Sequence, residues 1–291
     1  MSDLIATLQA NTLLFIALVA MFSLFVGSFL NVVIHRLPIM MENGWRRECQ
    51  EFVAQDSGQP APETEEQAPF NLMVPRSRCP SCDTQITAKQ NIPVISYLML
   101  KGKCANCGAK ISVQYPVIEI VTMLLSVMVA VKFDVSWQTF FGILLTWALI
   151  SLTMIDFKHT LLPDDITLPM LWLGLLISLV PVFVSPSEAI VGAAVGYLSL
   201  WSVYHLFKLV TGKEGMGYGD FKLLGLLGAW FGWTSIPMII LLSSVVGAVV
   251  GITLIAVRGR DRNIPIPFGP YLAAAGWLAM MYGDKISRVL F

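Results

Sequence analysis

Long apolar runs recur along this chain at about 12–34, 115–132, 137–155, 165–184, 188–210, 235–257 and 268–290. Each is near the roughly 20 residues that an α-helix needs to cross a hydrocarbon core, whereas a β-strand crosses in about 10. A further run at 221–232 makes an eighth, short or partly re-entrant. The pattern predicts an all-α polytopic membrane protein of about eight transmembrane helices. Composition agrees: 56% of residues are hydrophobic and 13% charged, with a mean hydropathy of +0.70, beyond what soluble domains show. Net charge is zero, so membrane lipid rather than nucleic acid is the expected surrounding. The first run reads as a span, not a secretory signal. Only Asp3 precedes it, and it ends in Asn31 and His35-Arg36 instead of a small-residue cleavage site.

Lysine and arginine set the orientation. Nine fall in 35–114, and if that segment is cytoplasmic, alternating spans place Lys158, Lys208, Lys213, Arg258, Arg260 and Arg262 on the same side. Only Lys132, Lys285 and Arg288 are then outside. Fifteen against three satisfies the positive-inside rule, with both termini outside. The chain thus divides into a first span (1–34), a cytoplasmic segment (35–114) and a polytopic membrane domain (115–291).

Within the cytoplasmic segment, residues 50–69 are acidic and rich in Pro and Gln, and read as a disordered insert. The compact part, 70–114, contains Cys79-Pro80-Ser81-Cys82 and Cys104-Ala105-Asn106-Cys107, two CxxC knuckles 21 residues apart. Four thiolates from two tight turns suit a closed, structural zinc site. Two disulfides would need an oxidising compartment, and a dithiol redox pair is the other alternative. So small a segment buries little core, and metal binding would supply much of its folding energy. Cys49 has no partner in this pattern and is expected to be a spectator.

Two acids stand where apolar runs meet polar loops: Asp156, and Asp220 in Gly217-Tyr218-Gly219-Asp220. The alternation of spans brings both to the cytoplasmic face. Carboxyls that close together cannot both ionise easily and share a proton. The ionised one can activate water while the protonated one donates to a scissile carbonyl. Glycines at 215, 217 and 219 suit a loop that bends sharply and admits a substrate backbone. The plainer readings are a helix N-cap for Asp220 and pairing of Asp156 with Lys158 or His159. Asp164 and Asp165 follow Pro163 before a span, where capping explains them. None of His35, His159 and His205 lies near a nucleophile-elbow motif.

In order and spacing these motifs resemble the type IV prepilin peptidases, the bifunctional leader peptidase/N-methyltransferases of bacterial pilus and type II secretion systems. The likeness rests on Gly27-Ser28-Phe29-Leu30-Asn31 through Leu37-Pro38, both knuckles, Asn91-Ile92-Pro93, Tyr115-Pro116-Val117-Ile118-Glu119, Ile155-Asp156, Leu161-Leu162-Pro163-Asp164, Gly217–Lys222 and Pro267-Phe268-Gly269-Pro270. The resemblance implies that Asp156 and Asp220 are the catalytic pair of a GxGD aspartyl protease in the bacterial inner membrane. It implies that prepilins and pseudopilins are cut after a glycine, and that the new N-terminus is methylated from S-adenosylmethionine. His35 and Gln114 depart from the tyrosine and arginine of many relatives. No Rossmann glycine fingerprint is present. Glu119, within the second span, is the candidate methyl-transfer residue; its plainer reading is an ion-pair partner of Arg36 or Lys110. An ion-coupled transporter, with paired intramembrane acids, and a non-catalytic zinc-bearing scaffold are the alternative functions.

Overall fold

A computed structural model of the chain describes residues 2–57, 69–258 and 266–290, which contain ten α-helices and no β-strand. These are α1 (Ser2–Ala10), α2 (Thr12–Ser57), α3 (Ile95–Met99), α4 (Gln114–Phe133), α5 (Trp137–His159), α6 (Asp164–Ile177), α7 (Pro186–Thr211), α8 (Tyr218–Phe231), α9 (Ile236–Arg258) and α10 (Gly269–Leu290). Among the described residues, α2, α4, α5, α7 and a stretch over 233–254 that takes in most of α9 are long and apolar enough to cross a membrane. The protein is a multi-pass membrane protein.

Of the remaining three runs, that at 221–232 forms the short helix α8, as expected, and the other two differ from the expected full spans. The run at 165–184 yields only the 14-residue α6, because Pro181 lacks an amide donor and disfavours helix in the residue before it. At 1.5 Å per residue, α6 and α8 are each about 21 Å long, short of a roughly 30 Å hydrocarbon core. α10 has 22 residues, but Asp284, Lys285 and Arg288 occupy its final turns.

Two compact units divide the chain: residues 17–126, and residues 1–16 with 127–291. In the first, α2 continues well past the expected end of the first span and remains helical through Ser57. Residues 50–57 are therefore ordered helix rather than disordered insert. Residues 41–57 are rich in good helix formers such as Glu, Arg, Gln and Met, and Glu42 pairs with Arg46 one turn on, at 3.1 Å. The rest of the expected insert, 58–68, lies outside the described residues. α2 meets α4 at Gly27, where a Cβ would sit 2.8 Å from the Glu119 Cα. The Asn31 amide locks that crossing by donating to the carbonyls of Gly27 and Tyr115, each at 3.2 Å. Arg36 is buried at the start of the polar segment. It donates to the Asn71 and Pro75 carbonyls at 2.8 and 2.6 Å and lies over the Phe70 ring.

The second unit is built around α8. Eleven of its 14 residues are buried, Asp220 and Trp230 among them, so α8 is enclosed by other helices on nearly every side. Glycines allow this. A Cβ on Gly192 of α7 would lie 2.2 Å from the Gly228 carbonyl oxygen of α8, and one on Gly228 only 2.0 Å from the Gly192 oxygen. Gly196 meets Leu224 in the same way, at 2.5 Å. Close approach at small residues is how helices associate where lipid offers no hydrophobic drive. Trp230 fills the space left by Gly174 of α6, and its indole N–H donates to the Met170 carbonyl at 2.8 Å. From α10, the Trp277 indole reaches the Thr146 hydroxyl of α5 at 3.1 Å.

The obstacle at Gly192 is backbone, which cannot swing aside. Gly192→Ala should therefore cost at least about 2 kcal/mol by overpacking, read as a lowered thermal midpoint in detergent. Gly44→Ala is the control. Nothing lies within 4 Å of its Cβ position, so replacing a helical glycine there should raise stability by about 0.5–1 kcal/mol.

Candidate functional site

Asp156 and Asp220 both belong to the second unit, and both are buried, at 4% and 7% exposure. Asp156 lies in the last turn of α5, which Thr160 closes in the left-handed conformation at φ 51°. Its Oδ2 accepts the Gly269 N–H at 2.9 Å. Gly269 is the first residue of α10, so a carboxylate meets the electropositive end of a helix. A Cβ at Gly269 would come within 2.6 Å of that same oxygen. The ion pair with Lys158 or His159 that sequence allowed is not formed; both side chains are exposed.

Asp220 is not an N-cap. Gly217 caps α8 and Asp220 sits three residues on, its N–H bonded to the Gly217 carbonyl at 3.2 Å. Asp156 lies within Coulombic range of it. Leu162 links the two acids' surroundings. Its side chain packs against the backbone at Gly219, where a Cβ would lie 2.8 Å away, and at Gly269, where it would lie 3.0 Å away. None of Gly215, Gly217 and Gly219 has a positive φ; among the described glycines that conformation occurs at Gly102, Gly108, Gly212 and Gly232. Gly219 and Gly215 are needed for close approach, to Leu162 and to the Phe207 ring. At Gly217 a Cβ would meet only ordinary contacts.

Asp164 also has a partner that sequence reasoning missed. Both of its carboxylate oxygens accept from Lys222 Nζ, at 2.8 and 2.7 Å. This pair ties the first turn of α6 to the N-terminal part of α8, two residues from Asp220. Lys222 was visible beside the acid; its partner, 58 residues away, was not.

In the first unit, Glu119 is buried at 6% exposure. It does not pair with Arg36 or Lys110. Its Oε2 accepts the Val94 N–H at 2.8 Å, and Ser28 hydrogen-bonds the same carboxyl. In the same unit, Ser23 Oγ, Asn31 Oδ1 and Thr122 Oγ1 are buried without a hydrogen-bond partner among the described residues.

The four knuckle thiols form one cluster. Their sulfurs all lie within 4.8 Å of one another, with Cys79–Cys107 at 3.8 Å and Cys82–Cys104 at 4.0 Å. A tetrahedron with zinc–sulfur bonds of about 2.3 Å has edges of about 3.8 Å, so the donor set fits zinc. No disulfide is formed, and Cys49 is exposed and apart from the cluster. The two knuckles are also copies of one turn. Cys79 N–H donates to the Thr84 carbonyl, Asp83 N–H to Cys79 and Ile86 N–H to Ser77. The same bonds recur 25 residues later, from Cys104 to Ala109, Gly108 to Cys104 and Ile111 to Gly102. Asp83 and Gly108 take the same left-handed conformation, φ 52° and 70°. Hydrogen bonding to Thr84, through its hydroxyl and backbone, and to Asn106 brings the Cys82 thiol down to about 6. That ligand is thus a thiolate near neutral pH, the form that binds metal.

A multi-pass helical membrane protein with two buried acids at helix ends and a four-thiol metal cluster is a narrow class. Two family models match within it: the bacterial peptidase A24 N-terminal domain over residues 21–133 and the type IV leader peptidase family over residues 143–252. The chain is 55% identical over 275 residues to the prepilin leader peptidase/N-methyltransferase of Aeromonas salmonicida strain A449, covering 94% of this chain and 93% of that protein. It is 51% identical over 281 residues to the protein of the same name from Pseudomonas aeruginosa, covering 97% and 95%. For that of Dichelobacter nodosus the identity is 50% over 280 residues, covering 96% of each. No solved structure matches. The chain belongs to the type IV leader peptidase family.

The four-thiol cluster makes a direct prediction. Purified protein should carry about one zinc per chain by elemental analysis, and Cys104→Ser should remove most of it. A metal-free wild type, or full zinc in that variant, would contradict the assignment.

Proposed function

We propose that this protein cleaves the leader peptide of type IV prepilins and pseudopilins and then methylates the new N-terminus, with Asp156 and Asp220 as the catalytic pair. The observation that carries this reading is the burial of both acids at adjoining helix ends, one of them held by the Gly269 N–H at 2.9 Å. Two neighbouring carboxyls in such surroundings hold one proton between them. The hydrogen bond to Asp156 fixes the direction of its lone pairs, so the ionised form can take a proton from water. Asp220, at the mouth of α8, then donates to the scissile carbonyl oxygen. Gly219 lets the loop carrying Leu162 close over the acids, and Gly217 keeps the approach to Asp220 free of side chains.

In this reading the enzyme sits in the bacterial inner membrane with both acids and the zinc segment on the cytoplasmic side. The substrate's basic leader stays in the cytoplasm while its apolar segment enters laterally from the lipid. The cleavage site must unwind, since a helical peptide bond is shielded by its neighbours. Zinc, held by Cys79, Cys82, Cys104 and Cys107, is structural: four protein ligands leave no position for water.

When bound, S-adenosylmethionine supplies an electrophilic methyl group on a cationic sulfur. Glu119 and the unpartnered Asn31 Oδ1 are buried acceptors that suit a cation or an amine, and they are the residues that would hold the reacting groups. Glu119 would accept the proton that the amine loses as it is methylated.

Mass spectrometry of a co-expressed prepilin tests the reading. The wild type should leave a product shortened to the residue after a glycine and heavier by one methyl. Asp156→Asn and Asp220→Asn should each slow cleavage by at least ~100-fold; near-normal cleavage in either would remove the pair from the mechanism. Gly269→Ala should fall by a similar ~100-fold factor while still folding, because its methyl group displaces the Asp156 carboxylate. Glu119→Gln should leave cleavage intact and abolish the methyl increment.

A further inference from the structure

Lys132, Lys285 and Arg288 are the three cations that the positive-inside count leaves on the face opposite the acids, and all three line one cavity of about 570 Å³. That volume is within the ~300–1,000 Å³ usual for ligand sites. α4 and α10 form its walls. Beyond the cations the lining turns apolar, with Val127, Met128 and Val131 from α4 and Met281 from α10. Met128 and Val131 are exposed, so an apolar group can reach them. Arg288 lies 19 residues beyond Gly269, whose N–H holds Asp156, or about 28 Å along α10. That is close to the full thickness of a hydrocarbon core, so the cavity opens in the leaflet away from the acids.

Cations in the last turn of a helix complement its dipole, and Lys132 and Arg288 are so placed. That reading does not account for where Lys132 points. Its Nζ leaves α4 and donates to the Met280 and Met281 carbonyls of α10, the first at 2.8 Å. A positive charge is thereby fixed in the wall between the two helices. Nor does the dipole supply a counter-charge. Among the described residues no carboxylate lies within ion-pair distance of Lys285 or Arg288. Three cations against one acid, Asp284, leave the lining at a net charge of +2.

We propose that this cavity binds one anionic phospholipid of the leaflet opposite the acids, its phosphate held by Lys285 and Arg288 and an acyl chain laid along Val127, Met128 and Val131. The inference rests on the helices alone and is independent of the peptidase reading. Basic pockets between membrane helices take lipid head groups in this way. A phosphate oxyanion is the group that an unpaired guanidinium and ammonium suit best. Free phosphate would satisfy the cations and leave the apolar wall uncovered. A zwitterionic lipid would bring an ammonium group that the same cations repel. Only an anionic amphiphile uses both halves of the lining. Tyr282, at the rim, adds a hydroxyl at the depth where aromatic residues meet head groups.

Native mass spectrometry of the full chain in detergent, titrated with dioleoylphosphatidylglycerol or dioleoylphosphatidylethanolamine, tests the site. The wild type should retain one phosphatidylglycerol and bind it at least ~10-fold more tightly than phosphatidylethanolamine. Each cation near a membrane surface is worth about fivefold in binding an anionic lipid. Lys285→Gln with Arg288→Gln should therefore weaken phosphatidylglycerol roughly 25-fold. Asp284→Asn, which keeps every cation and removes the opposing charge, should strengthen it by about fivefold. Lys213→Gln, the same charge change at an exposed loop residue outside the cavity, should leave it unaltered. Equal affinity for the two lipids, or one affinity across all variants, would overturn the site. Displacement of the lipid by inorganic phosphate alone would overturn the lipid assignment in favour of a soluble anion. If the double variant does not fold, Asp284→Asn decides: affinity at or below that of the wild type overturns the proposal.

Discussion

Backbone contact between two glycines sets the dimensions of the membrane unit. Gly192 of α7 and Gly228 of α8 approach so closely that a side-chain carbon at either would overlap the other's carbonyl oxygen. That spacing lets a 14-residue helix, too short to span by itself, be wrapped by its neighbours. Asp220 is at the start of this helix, and its burial follows from the burial of α8 as a whole. Trp230 near the other end, bonded to the α6 backbone, and the Lys222–Asp164 pair beside the acid keep α6 and α8 in register. Small residues in one seam therefore determine where a carboxyl eight residues away can stand.

Polar groups at this depth need donors, because the lipid offers none. Asp156 finds one in the first N–H of α10, an amide that no intrahelical carbonyl can use. Glu119 does the same with the Val94 N–H. In both cases the acid binds backbone instead of a cation, which leaves it free of a permanent salt bridge. Structural acids in the same protein behave differently: Glu42, Asp83, Asp164 and Glu214 all have Arg or Lys partners.

Much of this was legible in the sequence, and for identifiable reasons. Run length disclosed the apolar helices, and CxxC spacing disclosed the thiol cluster, because both are local patterns. The acids stood out because charge in an apolar context is costly. What sequence did not disclose is long-range or conformational. The Gly269–Asp156 bond joins residues 113 apart in the chain. The glycines around Asp220 were visible, but that Leu162 and Phe207 are what approach Gly219 and Gly215 depends on long-range packing. Pro181 shortened α6 against a strong hydropathy signal, and helix-forming residues carried α2 through a stretch whose charge and polarity suggested disorder. The repeat of one turn at residues 77–86 and 102–111 was hidden because only cysteine and isoleucine coincide between the two copies.

That repeat bears on the order in which the chain is made. Each knuckle contributes two thiols, and a nascent chain that ends before Cys104 has only half of a tetrahedral site. It can hold metal only loosely, with exchangeable ligands in the other two positions. Cys107 precedes the first residue of α4 by seven positions, so the fourth ligand emerges from the ribosome shortly before the second span does. Zinc closure and insertion of that span are thus nearly simultaneous events in synthesis, and a cell short of zinc would send α4 into the membrane from an unclosed segment.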